Sequence, residues 1–267
     1  MDLEISPLAP KSFPQMPFVN GVRMATAKTK TKYKGRSDLL LIDLVSGTSV
    51  AGVLTKSTAP GHPVIWCRDK LQKGKARGLV VNAGNANVFN GKSGMQAVEA
   101  IAKSVGTLLH CAKNEVYVAS TGVIGERLDP TKIVEKIATL KDDLQNQNWK
   151  DAAIAITTTD TFPKGSHRVV KVGKTSVNIV GIAKGSGMIA PDMATMLGFI
   201  FTDAQIPAQI LQKLLTRNVK STFNSITVDG DTSTSDTLLL FATGVAEHPV
   251  PSNDHDPILK EFEIGLN

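Results

Sequence analysis

Residues 184–199 read KGSGMIAPDMATMLGF, and the architecture expected of this chain turns on how Thr195 within them is read. Thr195 follows the small Ala194 and precedes an apolar run. Lys184 and a Gly-Ser-Gly turn lie upstream. A hydroxyl so placed can attack the carbonyl just before it, cut its own chain and emerge as an N-terminal nucleophile. The freed α-amine then serves as its base, with a pKa of about 8 that suits neutral pH. The plain alternative is a β-branched residue in a buried strand, and residue type alone favours that alternative.

Outward from this stretch the chain reads as short apolar strands and amphipathic helices. Strands are expected at 39–44 (LLLIDL), 49–54, 77–82, 115–119, 196–201 and 238–242. Apolar residues at 169–180 alternate around Gly173 and Lys174, a hairpin signal. Helical spacing runs through Met95, Val98, Ile101, Ala102, Val105 and Leu108, and again over 207–219. Asp129 with Pro130 opens a helix to about 144. Another helix covers 149–157, and an amphipathic pattern begins at 257–267. Residues 1–36 read as a loop-rich lead-in, and 249–257 (PVPSNDHDP) as a linker. Strands and helices come in blocks, without strict βαβ alternation. A layered α+β sandwich is therefore expected over a doubly wound parallel sheet.

Length and composition bound the function. A chain of 267 residues builds one large or two modest domains with a real core. Aromatic content of 5% argues against a stacking surface for single-stranded nucleic acid. Net charge is +6, with one cluster at Lys28, Lys30, Lys32, Lys34 and Arg36. Its alternation with Thr29, Thr31 and Tyr33 suggests a solvated edge strand, with an anion-binding patch as the sharper reading. Two cysteines without CxxC spacing argue against a disulfide scaffold or a cysteine-based zinc site. The acidic, proline-bearing start is unlike a signal peptide, and no run reaches the ~18 apolar residues of a membrane span. A cytoplasmic location is expected, with neither nucleic acid nor membrane as partner.

Other segments could carry chemistry. Thr121 and Gly122 form a strand-end turn whose N–H groups can stabilise an oxyanion, although Thr-Gly is a common turn dipeptide. Thr157, Thr158, Thr159 and Asp160 offer hydroxyls and a carboxylate for a polar ligand, or merely a cap and turn. Lys184 can hold a substrate carboxylate, or be a solvated surface lysine. Residues 84–93 mimic a phosphate-binding loop, but the interval from Gly84 to Gly91 is too long for that motif. An Asn/Gly turn lining a cleft is the better reading. Residues 229–240 open like a calcium loop, yet Thr234 and Leu240 stand where it needs glycine and glutamate. The five histidines form no HxH or HxxxH pair, so no histidine metal site is expected.

Taken in order, several segments resemble the ornithine acetyltransferase (glutamate N-acetyltransferase) family. They are GVLTKSTAPGHPVIWCRD (52–69), VVNAGNANVFNG (80–91), ASTGVIGERL (119–128), AITTTDTFPK (155–164), KGSGMIAPDMATMLGF (184–199) and FNSITVDGDTSTSDTLLLFATG (223–244). The resemblance covers nearly the whole chain and implies a layered α/β fold related to self-processing amidohydrolases. It implies cleavage between Ala194 and Thr195 into an α chain, 1–194, and a β chain that begins at the nucleophile Thr195 and here runs over 195–267. The two would stay together, in a heterotetramer. Thr195 would carry an acetyl group from N-acetylornithine to glutamate by double displacement, in arginine biosynthesis, without cofactor or metal. Acetyl-CoA is a second donor in some members. Thr121 and Gly122 match the family's oxyanion pair, and Thr158 and Lys184 its substrate-binding threonine and lysine, with the choice among neighbouring threonines open. Members of the family continue well beyond Asn267, and their further part supplies an acidic substrate-binding residue. A truncated, inactive remnant and a related self-processing aminopeptidase or amidase are the rival readings.

Overall fold

Leucine and isoleucine at every position of 39–42 make a segment that needs cover on both faces. In the computed structural model, which describes residues 5, 7–144, 147–189 and 196–267, strand β2 (Leu39–Leu44) is buried along its whole length. It lies between β1 (Val22–Ala27) and β4 (Gly78–Asn85), antiparallel to both. β4 pairs in parallel with β5 (Val116–Val123), which completes a four-stranded sheet. The second sheet has five strands, in the order β3 (Ser49–Leu54), β9 (Thr237–Ala242), β8 (Leu197–Thr202), β7 (Thr175–Lys184) and β6 (Lys164–Val172). Here β8 and β9 are parallel and the other neighbours antiparallel.

The two sheets share one core. Tyr117 of β5 meets Phe241 of β9 edge-on, with ring centroids 6.0 Å apart. Phe241 stacks on Phe201 of β8 at 5.3 Å, and Phe201 meets Trp149 of helix α4 (Trp149–Ala155) at 5.2 Å. Helices α1 (His62–Leu71) and α2 (Gly91–Leu108) cover the first sheet, while α5 (Ala208–Val219) and α6 (Lys260–Leu266) cover the second. The layered sandwich is therefore present. Two parallel pairs interrupt its hairpins: β4 and β5 flank α2, and β8 and β9 flank α5. Truncating Phe241 to alanine removes the ring shared by both contacts. We expect a loss of about 3–5 kcal/mol, read as a lower urea midpoint at unchanged slope. A loss below about 1 kcal/mol would contradict a common core.

Several expectations change. Residues 1–36 are not all lead-in, because β1 pairs with β2 from Val22 opposite Leu44 to Ala27 opposite Leu39. The basic stretch at 28–36 is a loop rather than an edge strand. The buried Asp38 carboxylate takes the Thr29 N–H at 2.6 Å and its hydroxyl at 2.8 Å, and Lys30 adopts φ +57°, which ends the extended run. Its four lysines are nevertheless exposed. Helix α3 (Thr131–Thr139) ends before 144, and Asp129 accepts from the Thr131 N–H and hydroxyl rather than standing as N-cap. Residues 249–257 are no linker: Asp254 is tied to Lys213 at 2.9 Å and Arg217 at 3.0 Å on α5.

Candidate active site

Period-two alternation decides which side chains reach the inter-sheet layer. On β7, Val180 and Ile182 enter the shared core, so Lys184 lies on the same face at the strand's last residue. On β5, Tyr117 and Ala119 face the same layer, and Thr121 follows them. The two series converge where the Lys184 Nζ donates to the Thr121 Oγ1 at 3.1 Å. Lys184 is 3% exposed, and no carboxylate lies within ion-pair distance of it among the described residues. Burial therefore pushes its pKa below the ordinary lysine value, opposed by the attraction of Asp160. The reading of Lys184 as a solvated surface lysine is thus overturned.

Gly122 has φ +132°, a conformation that glycine alone adopts readily. A Cβ there would stand 2.3 Å from the Gly84 carbonyl carbon and 2.6 Å from the Asn85 nitrogen. Gly84 and Asn85, the last residues of β4, thus lie directly against Gly122. Thr121 and Gly122 are not the turn expected but paired residues near the end of β5, opposite Ala83 and Gly84. Ser120 donates to the Asn82 Oδ1 at 2.6 Å, and Asn82 donates in turn to the Asn85 carbonyl at 3.0 Å, which ties the ends of β4 and β5 together. In the loop after β4 the buried Asn87 side chain donates to the Gly94 carbonyl at 2.9 Å, which ties the loop to α2.

The threonine run after α4 divides by use. Thr157 is committed to structure: its hydroxyl donates to the Ile154 carbonyl and accepts from Arg36, each at 2.8 Å. The Thr159 hydroxyl pairs with the Ser186 hydroxyl at 2.7 Å. The Thr158 hydroxyl takes no partner among the described residues, where only its backbone N–H is engaged, by Asp160. Asp160 accepts from Lys164 at 2.6 Å and from the Gly185 N–H at 2.8 Å, which ties this loop to the residue after Lys184. Burial opposes ionisation of Asp160, but Lys164, the Gly185 N–H and Lys184 hold its carboxyl below the usual range.

Ala194 and Thr195 lie outside the described residues. The chain on either side is placed: Lys184 is opposite Leu197, and Leu197 is opposite Thr237. The first residue of β8 therefore lies between the end of β7 and the start of β9. Just before it, the Met196 N–H donates to the Asp236 Oδ1 at 2.7 Å. Burial pushes the Asp236 carboxyl up to about 7, against the Met196 N–H and Lys184, which favour its charge. Asp236 escaped the sequence reading, which singled out Asp229 and Asp231 nearby. The available signal was an acid at the threshold of the apolar run TLLLFA. A cavity of about 290 Å³ opens beside Lys184, with Ile189, Met196, Phe223 and Ile226 among its walls. Among the described residues no group of three or more His, Cys, Asp or Glu is placed to hold a metal ion.

This arrangement presents a buried lysine, a glycine strand end with positive φ and the start of β8 at one end of a two-sheet core. Residues 23–267 match the model of the ArgJ family. The chain is 54% identical over its whole length to an arginine biosynthesis bifunctional protein ArgJ from Bradyrhizobium diazoefficiens, of which it covers 65%. It spans under two thirds of the length of the curated relatives it matches. Among solved structures it is similar to an ornithine acetyltransferase complexed with ornithine from Mycobacterium tuberculosis. That match has 28% identity and a TM-score of 0.58, and covers 67% of this chain and 94% of that one. It shares the fold of an L-aminopeptidase D-Ala-esterase/amidase from Ochrobactrum anthropi, described as a variant of the Ntn hydrolase fold. There identity is 15%, the TM-score is 0.51, and coverage is 96% of this chain and 84% of that one.

Proposed function

This chain belongs to the ArgJ family, and from that premise we propose that it is a self-cleaving acetyltransferase of arginine biosynthesis, moving acetyl from N-acetylornithine to glutamate. The observation that carries the reading is the 3.1 Å contact of Lys184 with Thr121, made where β8 begins two residues after Thr195. In this reading the Thr195 hydroxyl attacks the Ala194 carbonyl, and the Ala194–Thr195 amide breaks to leave an ester and a free amine. Water then hydrolyses the ester, which separates an α chain, 1–194, from a β chain beginning at Thr195.

The amine next takes the Thr195 hydroxyl proton as that oxygen attacks the acetyl carbonyl of N-acetylornithine. Thr121 and Gly122, at the end of β5, stabilise the tetrahedral oxyanion. Ornithine leaves with a proton, and the amine of glutamate attacks the acetyl-threonine in the reverse sense. Lys184 and Thr158 bind substrate. The uncommitted Thr158 hydroxyl supports that choice over Thr157 and Thr159, whose hydroxyls are engaged. Acetyl-CoA is a second donor in this proposal, the cleaved chains assemble as a heterotetramer, and the location is the cytoplasm. No helix among the described residues is long and apolar enough to cross a membrane. The fold shared with an aminopeptidase and amidase favours one second reading, in which water replaces glutamate as acceptor. Release of free acetate without acetylglutamate would select it.

Intact mass under denaturing conditions tests the proposal. Two fragments split between Ala194 and Thr195 are expected, replaced by a single uncut chain in Thr195→Ala. A wild-type chain that stays whole would overturn self-cleavage and leave an inactive remnant as the reading.

A further inference from the structure

Asp160 bonds both to Thr158 and to the residue after Lys184, and its side chain is fully buried. Oδ1 accepts from the Lys164 Nζ at 2.6 Å and from the Gly185 N–H at 2.8 Å. Oδ2 faces the Thr158 N–H at 3.4 Å. One carboxyl thus joins the loop after α4, the first residue of β6 and the residue after β7. Arg36 and Ser186 hold the same loop from other sides. Arg36 donates to the Thr157 carbonyl at 2.7 Å, and the Thr159 hydroxyl pairs with that of Ser186. Thr158 is therefore held by fixed neighbours before and after it.

Hydrogen bonding alone does not call for an acid at this position. A neutral amide oxygen would satisfy the Gly185 N–H and the Lys164 ammonium, and a buried carboxylate is costly unless cations repay it. Lys164 repays only part, because its side chain is 32% exposed and water screens it. The buried cation is Lys184, whose Nζ donates to the uncharged Thr121 hydroxyl. Asp160 opposes the effect of burial on Lys184, and Lys184 in turn favours the charge of Asp160. The other charged groups that bear on Lys184 are Lys164, a like charge at the start of β6, and Asp236 before β9. Asp236 is protonated until about pH 7, so it supplies little charge below that. β5 presents Thr121 and β8 presents Leu197, neither of them charged.

We propose that Asp160 is a positioning residue for the substrate pair, tying Thr158 to the end of β7 and supplying the countercharge with which the buried Lys184 meets a substrate carboxylate as a cation. The proposal rests on the reading of Thr158 and Lys184 as substrate-binding residues. Asp160 acts through these two and touches no substrate itself. A lysine without its proton would still donate a hydrogen bond, but it would no longer repay the desolvation of a carboxylate.

Titration calorimetry of N-acetylornithine with wild type and Asp160→Asn, at pH 6 and pH 8.5, tests this. The ligand carboxylate is ionised at both. Asparagine keeps an oxygen for Lys164 and Gly185 and removes the charge. At pH 6, where the medium favours the ammonium form, the two affinities should lie within about threefold of each other. At pH 8.5 the variant should bind about tenfold or more weakly, the worth of a charge-assisted hydrogen bond. Asp236 titrates in both chains, so the comparison across pH isolates Asp160. A loss of equal size at both pH values would mark a merely structural residue and overturn the proposal, as would no loss at either. If Asp160→Asn does not fold, the wild-type profile decides. Affinity held within about threefold from pH 6 to 8.5 supports the countercharge, and a fall of about tenfold refutes it, because Lys184 would then lose its proton despite Asp160. A wild type that does not bind N-acetylornithine refutes the substrate pair and the proposal together. A wild type that binds, beside a variant with a pH-independent loss, refutes the proposal alone.

Discussion

Under the proposed mechanism, Gly122→Ala is expected to abolish both self-cleavage and acetyl transfer. A methyl group at this position meets backbone, 2.3 Å from the Gly84 carbonyl carbon and 2.6 Å from the Asn85 nitrogen. Neither atom can swing aside as a side-chain end would, so the Thr121–Gly122 peptide must rotate or β4 and β5 must part. The register that pairs Gly84 with Gly122 holds both strands in place. Relaxation therefore falls on the end of β5, and the proposed oxyanion donors lose their aim. One misdirected donor costs about 10²–10³ in rate. The φ of +132° adds backbone strain of about 1–3 kcal/mol. Gly125→Ala is the control. Gly125 also has positive φ, +84°, but open space around its Cα. It should lose only about 1–2 kcal/mol and still cut itself. Intact mass and thermal melting of the two variants, side by side, make the comparison. Wild-type cleavage in a folded Gly122→Ala chain would remove Gly122 from the mechanism.

How much of this was legible in the sequence depended on how local each cause is. Strands β2 and β9 are unbroken apolar runs, and α2 and α5 carry their stripes at helical spacing, so each declares itself. β1 does not, because VRMATA mixes Arg23 and Thr26 into a short alternation. Arg23 is there to meet Asp43 across the strand pair, a partner that periodicity cannot show. α1 hides for another reason. Val64, Ile65, Trp66 and Cys67 are consecutive, which obscures a helical stripe, and the helix is fixed by the Trp66 N–H donating to the Val116 carbonyl of β5. The candidate site follows the same rule. Thr121 and Lys184 drew notice as a Thr-Gly dipeptide and a lone lysine, and the family resemblance gave them roles, but their contact spans 63 residues of sequence. The committed role of Thr157 depends on Arg36, 121 residues away. Asp236 depends on a bond to Met196, 40 residues back. Nothing in residue type separates such a carboxylate from Asp229 or Asp231, since only the closing of the two sheets buries one and leaves the others outside.

That burial has a consequence for stability that can be measured in the uncut chain. With Thr195→Ala the chain stays whole under the proposed mechanism, so no amine forms and the carboxyl of Asp236 keeps its raised value of about 7. An aspartate in the unfolded chain ionises at about 3.9. The folded pKa lies above the unfolded one, so the fold binds the proton more tightly. Stability from this group is complete below about pH 4 and is lost as pH rises toward 7, after which the loss is constant. Three units correspond to about 4 kcal/mol. Asp236→Asn in the same background cannot ionise. Any penalty from its unpaired amide is independent of pH and leaves the slope alone. Urea midpoints from pH 4.5 to 8 should therefore show the aspartate chain losing ground to the asparagine chain, with the difference levelling above 7. A constant difference would mean that Asp236 is ionised throughout.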